Sequence, residues 1–247
     1  MSFKWSLVAE SFRRPYPVTI PMVVLVSLVP LYVFIPGLFP AQTPHVPEIA
    51  LDRLVPLQPA WALVYGTLYL FLIILPVLVV RQDELIRRTV AAYLFVWIAA
   101  YVGFVSYPTV APRPEEVLGE GFAAWGLRFL YAADPPYNCF PSLHVAHSFV
   151  SALACYRVHR ELGKGAVVGA SLVAASTLFS KQHYVLDVVA GTLLGALAYA
   201  LFLRSFPRRQ VPESDRRMAP VLALVAATIV GLGFACFGIA YQLKFSL

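Results

Sequence analysis

The sequence predicts an all-α fold, a polytopic transmembrane helix bundle with six core helices and a seventh, C-terminal span. Three observations predict it. Of the 247 residues, 60% are apolar and only 13% charged, and the mean hydropathy is +0.73, well outside the range of soluble globular domains. Several apolar runs reach the roughly 17 to 25 residues that cross a bilayer core of about 30 Å. Lysines and arginines gather in alternate inter-run segments, as a multi-pass topology requires.

The runs lie at residues 18–36, 60–80, 89–107, 142–158, 165–181, 183–204 and 219–241. The first is the least regular, because Pro21, Pro30 and Pro36 each remove a backbone donor and favour kinks. Ahead of it, Lys4, Arg13 and Arg14 surround Trp5, Leu7, Val8 and Phe12, so residues 1–17 read as an interfacial segment rather than a cleavable signal peptide. The fifth and sixth runs nearly touch, which places His183 at their shared turn. The seventh, 219–241, is an additional span, and residues 1–247 read as a single membrane domain without internal repeats.

Placing the N-terminus in the cytoplasm puts every lysine and arginine inside except Arg53, Arg113, Arg128, Lys181 and Lys244, five of 19. The net charge of +6 is therefore an expression of topology. It lies in short juxtamembrane clusters, which excludes a nucleic-acid partner. Cys139, Cys155 and Cys236 fall in an outer loop, the fourth span and the last span, so no disulfide framework is expected.

On this topology the unusual residues collect on the outer side. In NCFPSLHVAHS, residues 138–148, Pro141 and Ser142 open the fourth helix as ordinary start signals. His144 sits in the first turn, where free N–H groups and the positive dipole end make an anion site. His147, one turn deeper, is a secondary candidate that can equally bond a neighbouring helix. In STLFSKQHYVLDVVAG, residues 176–191, His183 and Asp187 share a helix face, so the carboxylate can accept the Nδ1 proton and leave Nε2 free as base or nucleophile. Lys181 supplies positive charge at the same mouth, and Ser180 and Tyr184 flank it as secondary candidates. In SYPTVAPRPEE, residues 106–116, Pro112 and Pro114 hold Arg113 in extended chain. After it, Leu118, Phe122, Trp125 and Phe129 share one face of an expected interfacial helix within residues 117–133. Gly165 with Gly169, and Gly191 with Gly195, are spaced for close helix approach.

Arg113, Lys181, the helix start at Ser142, two histidines and a carboxylate describe a site for a phosphate ester. Cations and backbone donors hold the non-bridging oxygens. One histidine attacks phosphorus while the other protonates the leaving oxygen.

These residues resemble the type 2 phosphatidic acid phosphatase (PAP2) superfamily of membrane lipid phosphatases and phosphotransferases. PSLH at 141–144 is similar to its central motif, and His183 with Asp187 to its last; the resemblance covers residues 60–204, the expected catalytic core. It implies that His183 is the nucleophile, Asp187 its orienter and His144 the general acid. It further implies that Arg113, Lys181 and Ser142 grip the phosphate, with no metal and no cofactor. No lysine precedes Arg113 in the first motif, and Ser176 and Thr177 stand where the third usually carries Ser-Arg, a role in which Lys181 stands as replacement. YPTVAPRP, FPSLH and KQHYVLD look closer to the inositolphosphorylceramide synthase-like branch, whose members transfer a phospho-headgroup between lipids.

The expected function is thus phosphatase or phosphotransferase action on a lipid phosphate, with water or a lipid alcohol as acceptor. The expected location is a multi-pass protein of a bacterial inner or plasma membrane, with the site on the extracytoplasmic face. Two rivals stand beside it. His144, His183 and Asp187 could ligate a metal, although Arg113 and Lys181 put unfavourable positive charge beside a divalent ion. A non-catalytic transporter would place its polar residues nearer midplane and show inverted repeats.

Overall fold

The computed structural model describes residues 44–68 and 70–243; the interfacial segment 1–17 and the span expected at 18–36 lie outside them. The described chain is helical, with only two isolated bridges, His45 to Thr109 and Val110 to Tyr137. In chain order the α-helices are α1 (Ala50–Leu54), α2 (Trp61–Gly66), α3 (Leu75–Val79), α4 (Asp83–Ser106), α5 (Phe122–Ala133), α6 (Leu143–Val158), α7 (Arg160–Phe179), α8 (Val185–Ala198) and α9 (Glu213–Gln242). A π-helical stretch, Leu70–Ile74, precedes α3, and another, Tyr199–Leu203, extends α8.

Among the described residues, four helical segments are long and apolar enough to cross a membrane: α4, α7, α8 with its π extension, and α9. The run expected at 60–80 is instead divided among α2, the π-helical stretch and α3. Helix α6 has 16 residues, about 24 Å at 1.5 Å per residue, and is the central helix, buried along most of its length.

Helix starts differ from the apolar runs because caps, not hydropathy, set them. Gln82 accepts from the Leu85 N–H at 2.6 Å, and Asp83 and Glu84 occupy the first turn, so α4 begins six residues before its run. His159 ends α6 and caps α7, its Nδ1 accepting from the Leu162 N–H at 3.2 Å. The interfacial helix begins at Phe122, not near 117: Gly119 and Gly121 have φ of 101° and 94°, and Leu118 lies outside the helix and is exposed.

The expected small-residue contacts divide. A Cβ on Gly191 would lie 2.4 Å from the Ser142 carbonyl oxygen, and one on Gly195 would lie 2.9 Å from that of Ala146. These glycines let α8 press against α6 at the end that carries the polar residues. Gly169 lies against Phe71, whereas Gly165 has open space around it.

Candidate active site

Two helix N-termini meet at one end of the bundle. Ser142 caps α6, its Oγ accepting from the Val145 N–H at 3.3 Å, and its own N–H donates to the Asp187 carbonyl at 3.1 Å. That backbone bond ties the start of α6 to the first turn of α8. Asp187 in turn accepts the Tyr184 N–H at 2.8 Å through Oδ2. From α1, Asp52 accepts the N–H groups of Val185, through Oδ1, and of Ile49, through Oδ2, both at 2.8 Å. The site is therefore set on backbone that is bonded from several sides.

The imidazole of His183 is held by both nitrogens. Nδ1 lies 3.3 Å from Asp187 Oδ2, while Nε2 lies 3.1 Å from Ser142 Oγ and 3.4 Å from His144 Nδ1. His183 and Asp187 are both buried. With Nδ1 turned to the carboxylate, Nε2 is the nitrogen presented to the other polar groups.

Arg113 arrives by a strap. The Ala111 N–H donates to the Pro136 carbonyl at 2.7 Å, and Thr109 Oγ1 accepts from the N–H groups of Cys139 and Phe140, each at 3.0 Å. Residues 109–113 thus run alongside the loop that leads into Ser142. The Arg113 guanidinium stacks 4.6 Å over the Tyr131 ring and donates to the Tyr131 carbonyl at 3.1 Å and to Gln182 Oε1. Arg113 Nε and Gln182 Nε2 are buried donors without a protein partner. Burial pushes the Tyr131 hydroxyl up to about 12, with Arg113 pulling the other way, so it stays a donor to the Ser180 carbonyl at 2.7 Å.

Lys181 is placed differently from the role expected for it. It has φ of 53°, and its Nζ donates to the carbonyl oxygens of Val55 at 2.6 Å and Asp52 at 3.3 Å. Its charge binds the loop around α1, whose Asp52 caps α8. Ser180 Oγ is spent on the Ser176 carbonyl at 2.6 Å, and Tyr184 contributes its backbone N–H to Asp187. His147 lies buried between helices, its ring stacked on Tyr93 at 4.0 Å and edge-on to Trp97.

Three residues not singled out in the sequence adjoin the histidine pair. The Tyr65 hydroxyl donates to Asp134 Oδ2 at 3.0 Å and lies 3.4 Å from both ring nitrogens of His144. Gln182 is the third, beside Arg113. Only Gln182 had a local signal, its place in KQH; Tyr65 and Asp134 come from distant segments. Among the described residues, Cys139, His183 and Asp187 bring ligand atoms within 4.8 Å of one another, a different trio from the His144, His183 and Asp187 of the rival metal reading. Burial first, then the charge of Asp187, pushes the Cys139 thiol well above its usual range.

The family model described as the PAP2 superfamily matches residues 50–201. A PA-phosphatase related-family protein of Dictyostelium discoideum is 25% identical over 119 residues, covering 44% of this chain and 22% of that protein. The chain thus matches less than a quarter of that relative's length. No solved structure matches. With the family model spanning more than half of the chain and including the Ser142, His144, His183 and Asp187 positions, this chain belongs to the PAP2 superfamily.

Proposed function

We propose that the protein is a membrane lipid phosphatase or phosphotransferase that works through a phosphohistidine on His183, without a metal. The observation that carries this reading is the orientation of His183, with Nδ1 on Asp187 and Nε2 facing Ser142 and His144.

In the first step Nε2 attacks phosphorus and the bond from phosphorus to the lipid oxygen breaks. The electron pair stays with that oxygen, which takes a proton from His144. In the second step an acceptor hydroxyl returns a proton to His144 as its oxygen attacks phosphorus, and His183 leaves. Water gives free phosphate; a lipid hydroxyl gives a new lipid phosphoester. Arg113 and Gln182 supply the donors for the non-bridging oxygens, together with Ser142. Tyr65, 3.4 Å from the ring nitrogens of His144 and bonded to Asp134, holds His144 as it changes protonation. Lys181 fixes the frame instead of touching phosphate. In this reading the end of the bundle that carries the site faces the extracytoplasmic side, which the distribution of lysines and arginines among the loops supports.

Transfer to a lipid alcohol is the second reading. It is favoured by an apolar cavity that reaches His144, because an acceptor with a hydrocarbon tail can lie where the leaving lipid lay.

The test is turnover by the purified protein in detergent on a panel of lipid phosphates, with and without acceptor alcohols, in EDTA, alongside His183→Ala. EDTA-resistant free phosphate that the variant does not produce supports the phosphatase, and a new lipid phosphoester supports the transferase. Undiminished turnover in His183→Ala overturns the mechanism, and loss of wild-type activity in EDTA overturns its metal-free form.

A further inference from the structure

Beside the site lies a cavity of about 490 Å³ that begins at His144 and runs away from it between α2, α5 and α9. Its volume lies within the range of ligand pockets, roughly 300–1,000 Å³. Tyr65, Asp134 and His144 bring their polar groups to one end of the lining. The rest is apolar, with Trp125 and Phe129 from α5 facing Ile229 and Phe237 from α9. The Phe129 and Phe237 rings meet edge to face at 5.0 Å, so the two helices share one aromatic wall. Phe234 closes the floor against α2, where its ring would lie 2.7 Å from a Cβ placed on Gly66.

Three properties identify the occupant. An apolar cavity of this kind does not hold water well. Its helices face a lipid environment: on α9, Leu224, Leu232 and Ile239 are each at least 60% exposed. The rim residues Ile229 and Phe237 are themselves partly exposed, so the cavity lies next to hydrocarbon on one side and the histidine pair on the other.

We infer that this cavity binds one hydrocarbon chain of the lipid substrate, and that α5 and α9 select for its length and width. The inference rests on the lipid-phosphate reading for the identity of the headgroup. It goes beyond that reading in assigning chain selection to α9, which lies outside the matched segment 50–201.

Two glycines make the test clean. Gly126 on α5 and Gly233 on α9 both line the cavity, and a Cβ at either position meets nothing within 4 Å. Gly126→Leu and Gly233→Leu therefore fill the cavity without forcing the backbone, and exchange of glycine for leucine within a helix also favours folding. Each variant is compared with the wild type on hexadecyl phosphate and butyl phosphate. The expected result is a drop in kcat/KM of about tenfold or more on the long chain, with the short chain unchanged, because several methylenes lose their contacts. Equal losses on both chains, or none on either, overturn the inference.

A second measurement is independent of turnover. A hexadecyl phosphate carrying a photoreactive group near the chain end is crosslinked to the full-length protein and to the His183→Ala variant. Labelling on α5 and α9, displaced by hexadecyl phosphate and absent in Gly233→Leu, is the expected result. Labelling elsewhere on the protein overturns the inference. If this labelling is found while no lipid phosphate is turned over, the cavity assignment stands and the phosphoryl-transfer reading falls.

Discussion

His144 and His147 are three residues apart on α6, yet they occupy regions with opposite physical character. His144 lies in the first turn, within 3.4 Å of His183 Nε2 and of the Tyr65 hydroxyl. His147 lies one turn deeper, its ring parallel to that of Tyr93 in the buried contact between α4 and α6. The helix supplies the same backbone to both. What differs is the neighbour: α2 and the loop before α8 bring hydroxyl and ionisable groups to the first, whereas α4 brings aromatic faces to the second. A histidine in an apolar helix gains chemistry only where another segment delivers a partner.

That comparison can be broken by substitution. His144→Gln keeps a polar side chain but cannot donate the same proton, and it is expected to lower kcat by about 10² to 10⁴-fold. The first-turnover burst of p-nitrophenol from an activated monoester such as p-nitrophenyl phosphate should fall much less, because that leaving group needs little protonation; equal losses would remove His144 from the role of acid. Arg113→Ala is next, at about 10² to 10³-fold, through loss of charge stabilisation. Arg113→Lys should recover only part of it, since the lysine cannot bond Gln182 and stack on Tyr131 in the same way.

Lys181→Ala sharpens the contrast between the two cations. Its charge rests on the carbonyls of Asp52 and Val55, so the expected loss is about tenfold, the scale of a group that positions others. Thermal stability should fall with it, and Lys181→Gly should recover stability relative to the alanine because φ is 53° there. A loss as large as that of Arg113→Ala, with no change in melting temperature, would place Lys181 on the phosphate instead. The smallest effect belongs to His147→Phe, which keeps a ring against Tyr93; activity is expected within about threefold of wild type, whereas His147→Ala should cost stability by roughly 1–3 kcal/mol through lost packing.

Much of the fold and part of the site were legible in the sequence, for identifiable reasons. Hydropathy locates the long lipid-facing helices because their composition answers directly to the solvent around them. It does not locate their ends, which follow from local caps such as Gln82 and His159. The same limit explains the segment from residue 61 to 79, whose apolar run is uninterrupted although the backbone passes through a π-helical stretch. His183 and Asp187 were legible because only four residues separate them, although His183 lies in the bend before α8 rather than on a shared helix face, and the bend brings its Nδ1 to Asp187. Ser142 and His144 were legible because both stand at the start of a helix. Tyr65 and Asp134 were not, since 69 residues separate them and only the packing of α2 against α5 brings them together. For Lys181 the sequence shows a cation beside His183, but a left-handed backbone turns its side chain to the carbonyls near α1.

The central claim is that His183 Nε2 carries the phosphoryl group. Its most direct test is to mix the purified protein with a lipid phosphate substrate, quench in alkali within the first turnover, and map phosphorylated peptides by mass spectrometry. The account predicts alkali-stable, acid-labile phosphate on His183, absent from His183→Ala and still formed from the activated ester in His144→Gln. Turnover with no phosphohistidine at any quench time, or with the phosphoryl group on another residue, would contradict it.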